Sequence, residues 1–119
     1  MRGRIPPLLA AVAVLYLPLA RAAPVRDNDF PTSARVEYVL ECMSQHGGRQ
    51  EYLYKCSCVI DRIGAGLAYE DYVAMSAALR YQSLQGERGA EFRDPKNVKD
   101  MAGRYKTLLA EAEKACLTL

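Results

Sequence analysis

Two cysteines, Cys56 and Cys58, stand one residue apart in the middle of the chain, inside a segment with helical periodicity. Residues two apart on an α-helix point about 200° away from one another, so the two sulfurs face nearly opposite sides. A bond between them is therefore disfavoured. Each should pair elsewhere, and the only other cysteines are Cys42 and Cys116.

Apolar residues recur along the chain every three or four positions, which is typical of amphipathic helices, and no strand-like alternation or internal repeat appears. Paired glycines at 47–48 and a Gly-Glu-Arg-Gly segment at 86–89 interrupt this pattern. We expect Thr32 or Ser33 to cap the first helix, and Asp94 and Pro95 to begin the last. The sequence thus predicts an all-α fold, a compact four-helix bundle stapled by two disulfides, with helices near 34–45, 49–67, 69–85 and 95–117.

The helical pattern also bears on which cysteines pair. If the glycines at 47–48 turn the first two helices into an antiparallel hairpin, Cys56 lies nearer the level of Cys42 than Cys58 does. An up-down-up-down bundle would then bring Cys116 close to Cys58. This favours the pairs Cys42–Cys56 and Cys58–Cys116. The crossed pairs, Cys42–Cys58 and Cys56–Cys116, stay open because sequence does not fix helix rotation.

The first 22 residues have the three-part organisation of an export signal. Residues 1–4 are basic, residues 5–20 are largely apolar, and Ala20-Arg21-Ala22 offers the pattern that a signal peptidase reads. Prolines leave the apolar run shorter than the roughly 20 residues that a membrane-spanning helix needs. We therefore expect a signal peptide at 1–22, a flexible N-terminal arm at 23–33 and a disulfide-stapled helical domain at 34–119. The processed protein would be periplasmic.

Cleavage would change the charge balance of the chain. It removes three arginines, which leaves 13 of the 16 lysines and arginines against 14 aspartates and glutamates. The basic character of the precursor therefore gives no indication of nucleic-acid binding. We expect no nucleic-acid partner and no membrane association after cleavage. Four cysteines in a small exported chain favour two structural disulfides, each stabilising by about 2 to 4 kcal/mol.

Oxygen ligands for a hard metal ion, such as calcium or a lanthanide, occur at several helical positions. The candidates, which have a simpler interpretation as solvated or first-turn acids, are Glu37, Glu41, Asp61, Glu70 and Asp71. The segment at 27–29 resembles the start of a calcium loop, but the glycine and the twelfth-position glutamate of such loops are missing.

Sulfur ligands offer two further alternatives. Cys42, Met43 and His46 lie close together at one end of the first helix with Cys56 nearby, a mixture that suits copper. Such a site would require reduced thiols in an oxidising compartment. A thiol redox function is the other alternative, although the Cys-x-x-Cys spacing and the alternating strands and helices of thioredoxin-like folds are absent.

The segment from Gly86 to Asp94 is the most distinctive surface feature that the sequence predicts. We expect a charged loop whose candidate partner-binding residues are Glu87, Arg88, Phe92 and Arg93. The alternative is internal, with Phe92 packed as a plug and Arg93 paired with a neighbouring acid.

Patterns that would carry catalysis are missing from the sequence. The chain has one histidine, no Gly-x-Ser-x-Gly elbow and no phosphate-binding glycine loop. We therefore expect neither enzymatic activity nor an organic cofactor.

Several stretches together carry a resemblance to known proteins. They are Val-Leu-Glu-Cys at 39–42, the nine residues at 53–61, Gly-Glu-Arg-Gly and Phe-Arg-Asp-Pro at 86–89 and 92–95, and the seven residues at 110–116. The combination resembles small exported four-cysteine proteins found beside pyrroloquinoline-quinone alcohol dehydrogenase systems in methylotrophic and related proteobacteria. Some small periplasmic proteins of those systems bind lanthanide ions, and the landiscernin-like proteins are the comparison to test. The resemblance implies a quinoprotein dehydrogenase as partner and a lanthanide or calcium ion as ligand, without naming ligand residues.

These observations lead to one principal hypothesis and two alternatives. We expect a non-enzymatic periplasmic accessory or binding protein that serves quinoprotein alcohol oxidation or its metal supply. The first alternative is an acid-stress chaperone or protein inhibitor that exposes apolar surface at low pH. An unchanged oligomeric state and no suppression of aggregation at about pH 3 would contradict it. The second is the thiol redox or copper-binding protein.

Overall fold

The computed structural model describes residues 28–118, and within that range the chain forms five α-helices and no strand. This confirms the predicted all-α class but corrects the number of helices. The predicted signal peptide and residues 23–27 lie outside the described residues. None of the described helices is both long and apolar enough to span a bilayer. The helices are α1 (Thr32–Gln45), α2 (Glu51–Gly66), α3 (Tyr69–Tyr81), α4 (Gly86–Arg93) and α5 (Lys96–Cys116).

The central helix of the fold is α2. Its Cys56, Val59, Ile60 and Ile63 are at most 1% exposed, and their three- and four-residue spacing places them along the buried side of the helix. Both α1 and α5 pack against α2, and α3 packs in turn against α5. Helices α1, α2, α5 and α3 therefore follow one another around the bundle, with α2 supplying its most deeply buried side chains.

Both disulfides join α2 to another helix. Cys42 of α1 is bonded to Cys56, with a Cα–Cα distance of 6.0 Å, and Cys58 is bonded to Cys116 of α5, with a Cα–Cα distance of 5.9 Å. This confirms the favoured pairing over the crossed one. No free thiol remains among the four cysteines of the chain. The two bonds indicate an oxidising compartment outside the cytoplasm.

The hairpin between α1 and α2 matches the prediction, whereas the predicted cap of α1 does not. Gly47 and Gly48 have φ angles of 74° and 68°, and the Gly48 N–H donates a hydrogen bond to the carbonyl of Met43 at 2.8 Å. Only glycine adopts two successive angles of this kind without strain. At the other end, Pro31 is the N-cap and no side chain caps the helix. Thr32 and Ser33 therefore lie inside α1.

Residues 28–31 attach the start of α3 to the rest of the fold. The Asp29 carboxylate accepts hydrogen bonds from the Tyr69 N–H at 3.0 and 3.1 Å, which satisfies a free N–H group at the helix N-terminus. The Phe30 ring is buried, with its centroid 5.3 Å from that of Tyr69 and 4.9 Å from that of Tyr72. Asp29, which lies in the segment that resembles the start of a calcium loop, thus caps α3.

The predicted charged loop after α3 is wrong, because Gly86–Arg93 forms α4. Helix α3 ends at Tyr81, and two side chains tie the segment that follows it to the end of α4. Arg93 Nη1 donates to the carbonyl of Leu84 at 2.7 Å, and Gln82 Nε2 donates to the carbonyl of Arg93 at 3.1 Å. These contacts fold a glycine-containing, charged segment into two helical turns.

The predicted start of the last helix also needs correction. Pro95 is the N-cap of α5, and no side chain caps the helix. Asp94 instead pairs with Arg93, whose Nε donates to Asp94 Oδ1 at 2.9 Å. Asp94 therefore ends α4, and α5 begins at Lys96.

We expect the two disulfides to stabilise the fold unequally. The Cys58–Cys116 bond spans 58 residues of sequence and the Cys42–Cys56 bond spans 14. Because loop-closure entropy grows with loop length, the longer bond should contribute about 4 kcal/mol and the shorter about 3 kcal/mol. Urea unfolding of the Cys58→Ala/Cys116→Ala and Cys42→Ala/Cys56→Ala chains measures both losses. A larger loss of unfolding free energy in the chain without the Cys42–Cys56 bond would show that packing around the buried Cys56 outweighs loop length.

Candidate functional site

A groove runs between α1 and α3, two helices that do not pack on each other. Among the described residues, no Cα of α1 lies within 8 Å of a Cα of α3. The groove consists of an inner cavity of about 180 Å³ and an outer part of about 530 Å³, which have several lining residues in common. We call this feature the α1/α3 groove, and its shared lining consists of Tyr38, Glu41, Tyr72, Ser76 and Arg80.

Helix α5 closes the inner end of the groove with Tyr105, Leu109 and Glu113. Tyr105 is 4% exposed, and its ring centroid lies 6.0 Å from that of Tyr72. Its hydroxyl forms no hydrogen bond with a described residue. The Tyr105 side chain lines the inner cavity, so its hydroxyl is placed beside this cavity without a bond to any described residue.

One ion pair bridges the groove. Arg80 Nη2 of α3 donates to Glu41 Oε2 of α1 at 3.0 Å. The two side chains are 70% and 54% exposed, and pairs as exposed as this contribute at most about 1 kcal/mol. The bridge therefore closes the groove only weakly, and a bound molecule could displace it at small cost.

The tyrosines of the groove stay protonated well beyond neutral pH. Burial raises the pKa of Tyr38 far above its ordinary value, and the charge of Glu113 adds to the rise. Burial likewise raises the pKa of Tyr105 and of Tyr72, although the nearby Arg80 opposes the rise at Tyr72. Each phenol is thus a neutral hydroxyl that can donate one hydrogen bond and accept others.

The charged groups around the groove are mostly negative. Glu37 lines the outer part and Glu113 the inner cavity, in addition to the paired Glu41 and Arg80. Neither Glu37 nor Glu113 forms an ion pair with a described residue. The groove therefore carries two carboxylates that form no ion pair within residues 28–118.

The five predicted metal-binding carboxylates do not come together. Glu37 and Glu41 line the groove, whereas Asp61 forms an ion pair with an arginine of α1 at 3.1 Å. Glu70 and Asp71 lie exposed in the first turn of α3. Between residues 28 and 118, no group of three or more histidine, cysteine, aspartate or glutamate side chains could hold a metal ion.

The sulfur-based candidates are also changed by the fold. Cys42 and Cys56 are bonded to each other, so neither offers a thiolate to copper in this oxidised chain. The His46 ring stacks on Tyr52 with the centroids 4.1 Å apart, and Met43 packs against the core. The structure uses this end of α1 for a covalent tie and for packing.

The candidate partner-binding residues lie on α4 and are not part of the groove lining, although the Phe92 ring lies 5.7 Å from that of Tyr81, which lines the outer part. Glu87 and Arg88 are exposed, and Phe92 is 53% exposed rather than packed as a plug. Arg93 is engaged in the hydrogen bonds that hold α4 in place. These side chains present a small mixed surface without a cavity around it.

Of the groove residues, the sequence singles out Glu37 and Glu41 but none of the tyrosines. Tyr72 and Tyr105 lie on apolar helical stripes, a pattern typical of core residues, while Tyr38, Ser76 and Arg80 carry no signal of their own. Their spacing does resemble that of a buried helix face. Only the separation of α1 from α3 shows that the tyrosines line a cavity.

Comparison of the chain with protein-family models found no matching family, and comparisons with curated proteins and solved structures found no significant similarity. The groove must therefore be interpreted from its own geometry.

We expect Tyr105→Phe to change the free energy of unfolding at pH 7.5 by less than about 0.5 kcal/mol, because the hydroxyl has no partner to lose. Above pH 10 the unfolded chain loses its tyrosine protons while burial keeps Tyr105 protonated in the fold, so stability falls as the pH rises. The variant should lose less stability in that range. Urea unfolding at both pH values tests this, and a loss above about 2 kcal/mol at neutral pH would reveal a structural partner for the hydroxyl.

Proposed function

We propose that the chain is a non-enzymatic, exported binding protein that recognises its ligand in the α1/α3 groove. The observation that carries this proposal is the hydroxyl of Tyr105, which belongs to a buried side chain and yet has no partner among the described residues. Buried polar groups are almost always hydrogen-bonded to protein or water. A hydroxyl placed beside a cavity is thus available to a ligand.

The scaffold around the groove supports a binding function. The Cys42–Cys56 bond fixes α1 to α2, and the Cys58–Cys116 bond fixes α5, which carries Tyr105, to the same helix. Walls that are already in place lose little conformational entropy when a ligand binds. The serine of the groove, Ser76, donates its hydroxyl to the carbonyl of Val73 at 3.3 Å.

The proposal extends to the location of the protein. The disulfides indicate an oxidising compartment, and the three-part pattern in residues 1–22 favours export through a cleaved signal. We place the processed protein in the periplasm.

Filling the groove should abolish binding. Ser76→Phe puts a ring between α1 and α3, and Ser83→Phe is its control, because Ser83 also bonds a carbonyl three residues earlier but lies outside the groove. Labelled oxidised protein would be mixed with small-molecule and protein fractions of periplasmic extract, and its NMR spectrum followed. We expect a fraction to shift the ring resonances of Tyr38, Tyr72 and Tyr105 in the unaltered and control chains only.

The result that would contradict the proposal is equally specific. Shifts confined to α4, or shifts that persist in Ser76→Phe, would place recognition elsewhere. Chemical conversion of a component of the extract by the purified protein would contradict the non-enzymatic part.

A narrower form of the proposal is an accessory protein of quinoprotein alcohol oxidation or of its metal supply. The support for this narrower form is the resemblance carried by the four-cysteine segments. The metal-binding side chains do not add to it, since no three of them converge among residues 28–118. Titration of lanthanum and of calcium into the oxidised protein tests it by calorimetry. Heat that Glu37→Gln or Glu41→Gln reduces would support a metal site in the groove, and no heat with either ion would remove the metal-supply version.

A further inference from the structure

We infer that the α1/α3 groove takes an organic cation, either an alkylammonium or a guanidinium group. This inference rests on the proposed function, because it names the class of ligand for the same groove. Three properties of the lining carry it: the surplus of carboxylates, the tyrosine rings and the neutral phenol oxygens.

The carboxylates supply the charge that a cation needs. Glu37 lines the outer part of the groove, Glu113 lines the inner cavity, and Glu41 lines both. Arg80 is the only lysine or arginine of the described residues in this lining, and it is already paired with Glu41. The field of these acids reaches the cavity, since Glu113 and Glu41 both contribute to the raised pKa of Tyr38. A bound cation would relieve this unbalanced charge.

The tyrosines supply the rest of the recognition. Tyr38, Tyr72 and Tyr105 line the inner cavity, and the face of an aromatic ring attracts a cation through its quadrupole. Their oxygens remain neutral and can accept hydrogen bonds from N–H groups. The Tyr105 hydroxyl, which no residue of 28–118 bonds, can therefore accept a hydrogen bond from an ammonium or guanidinium donor.

An anion fits the same lining poorly. The Arg80–Glu41 pair is weak enough to break, but an anion bound to Arg80 would then lie beside three carboxylates with no ion-pair partner among the described residues, those of Glu37, Glu41 and Glu113. The Arg80 side chain is also 70% exposed, so water competes for its hydrogen bonds. The geometry thus favours the cation although it contains one arginine.

The size of the groove indicates a head group at the inner end and a larger body outside. The inner cavity of about 180 Å³ suits a small charged group, and the outer part of about 530 Å³ gives room for the chain that carries it. That chain can belong to a free alkylamine or to a lysine or arginine side chain of a protein. The chemistry of the head group is common to both sources.

The test compares matched ions on the intact exported protein with both disulfides formed. Butylammonium and butyrate have the same carbon chain and opposite charge, and each would be titrated at pH 7.5 while tyrosine ring resonances are recorded. We expect butylammonium to shift Tyr38, Tyr72 and Tyr105 and to bind at least about tenfold more tightly than butyrate. Capped lysine and capped arginine form two further arms, and whether they or butylammonium bind more tightly identifies the source of the cation.

Two glutamates of α5 provide the matched variants. Glu113→Gln removes a charge inside the groove, whereas Glu111→Gln removes an equal charge from the other side of the helix. Binding of butylammonium should weaken about fivefold in the first variant and change less than about twofold in the second. Equal weakening in both would mean that net charge alone attracts the ion, which would overturn the inference.

Failure of this inference can be told apart from failure of the proposed function. The inference would be overturned if butyrate bound more tightly than butylammonium. It would also be overturned if no cation bound at concentrations up to about 10 mM, which corresponds to a binding free energy near −3 kcal/mol. If an extract fraction still shifts the same tyrosines and Ser76→Phe still abolishes the shift, the groove remains a binding site for a ligand of another class.

Discussion

The structure depends on two sulfurs that leave one helix in different directions. Because Cys56 and Cys58 are separated by a single residue on α2, one turns toward α1 and the other toward α5. No other described helix is joined by disulfides to two different helices. The four apolar residues buried most deeply in α2 then pack against the helices that these bonds hold in place.

The open groove follows from the order in which the helices are joined. Helices α1, α2, α5 and α3 pack in succession, so three of the four seams of the bundle are filled and the seam between α1 and α3 is not. Within residues 28–118, the exposed pair of Glu41 and Arg80 is the one ion pair that crosses this seam. The polar side chains of a functional site can collect at such a seam, because no apolar partner is needed there.

Much of the fold could be predicted from the sequence, because it rests on periodic patterns. The spacing of Cys56 and Cys58 on a helix disfavours one pairing, and the glycine turn at 47–48 favours the observed one of the remaining two. The short helix α4 could not be predicted, since its glycines and charges are typical of loops and its support comes from Gln82 and Arg93. The groove could not be predicted either. A tyrosine on an apolar stripe gives the same sequence pattern whether its hydroxyl lies in the packed core or beside a cavity.

The attachment of residues 28–31 to α3 has a consequence for the order of folding. Asp29 caps a helix that begins 40 residues later, so closing this contact costs more loop-closure entropy than closing the contacts within the α1–α2 hairpin. The aromatic contact of Phe30 with Tyr72 arrives with it, and Tyr72 forms part of the groove wall. Residues 28–31 are not in the lining of the groove, but Phe30 packs on two tyrosines that are. Sequence changes just ahead of α1 would therefore reshape the groove through the tyrosines that Phe30 supports.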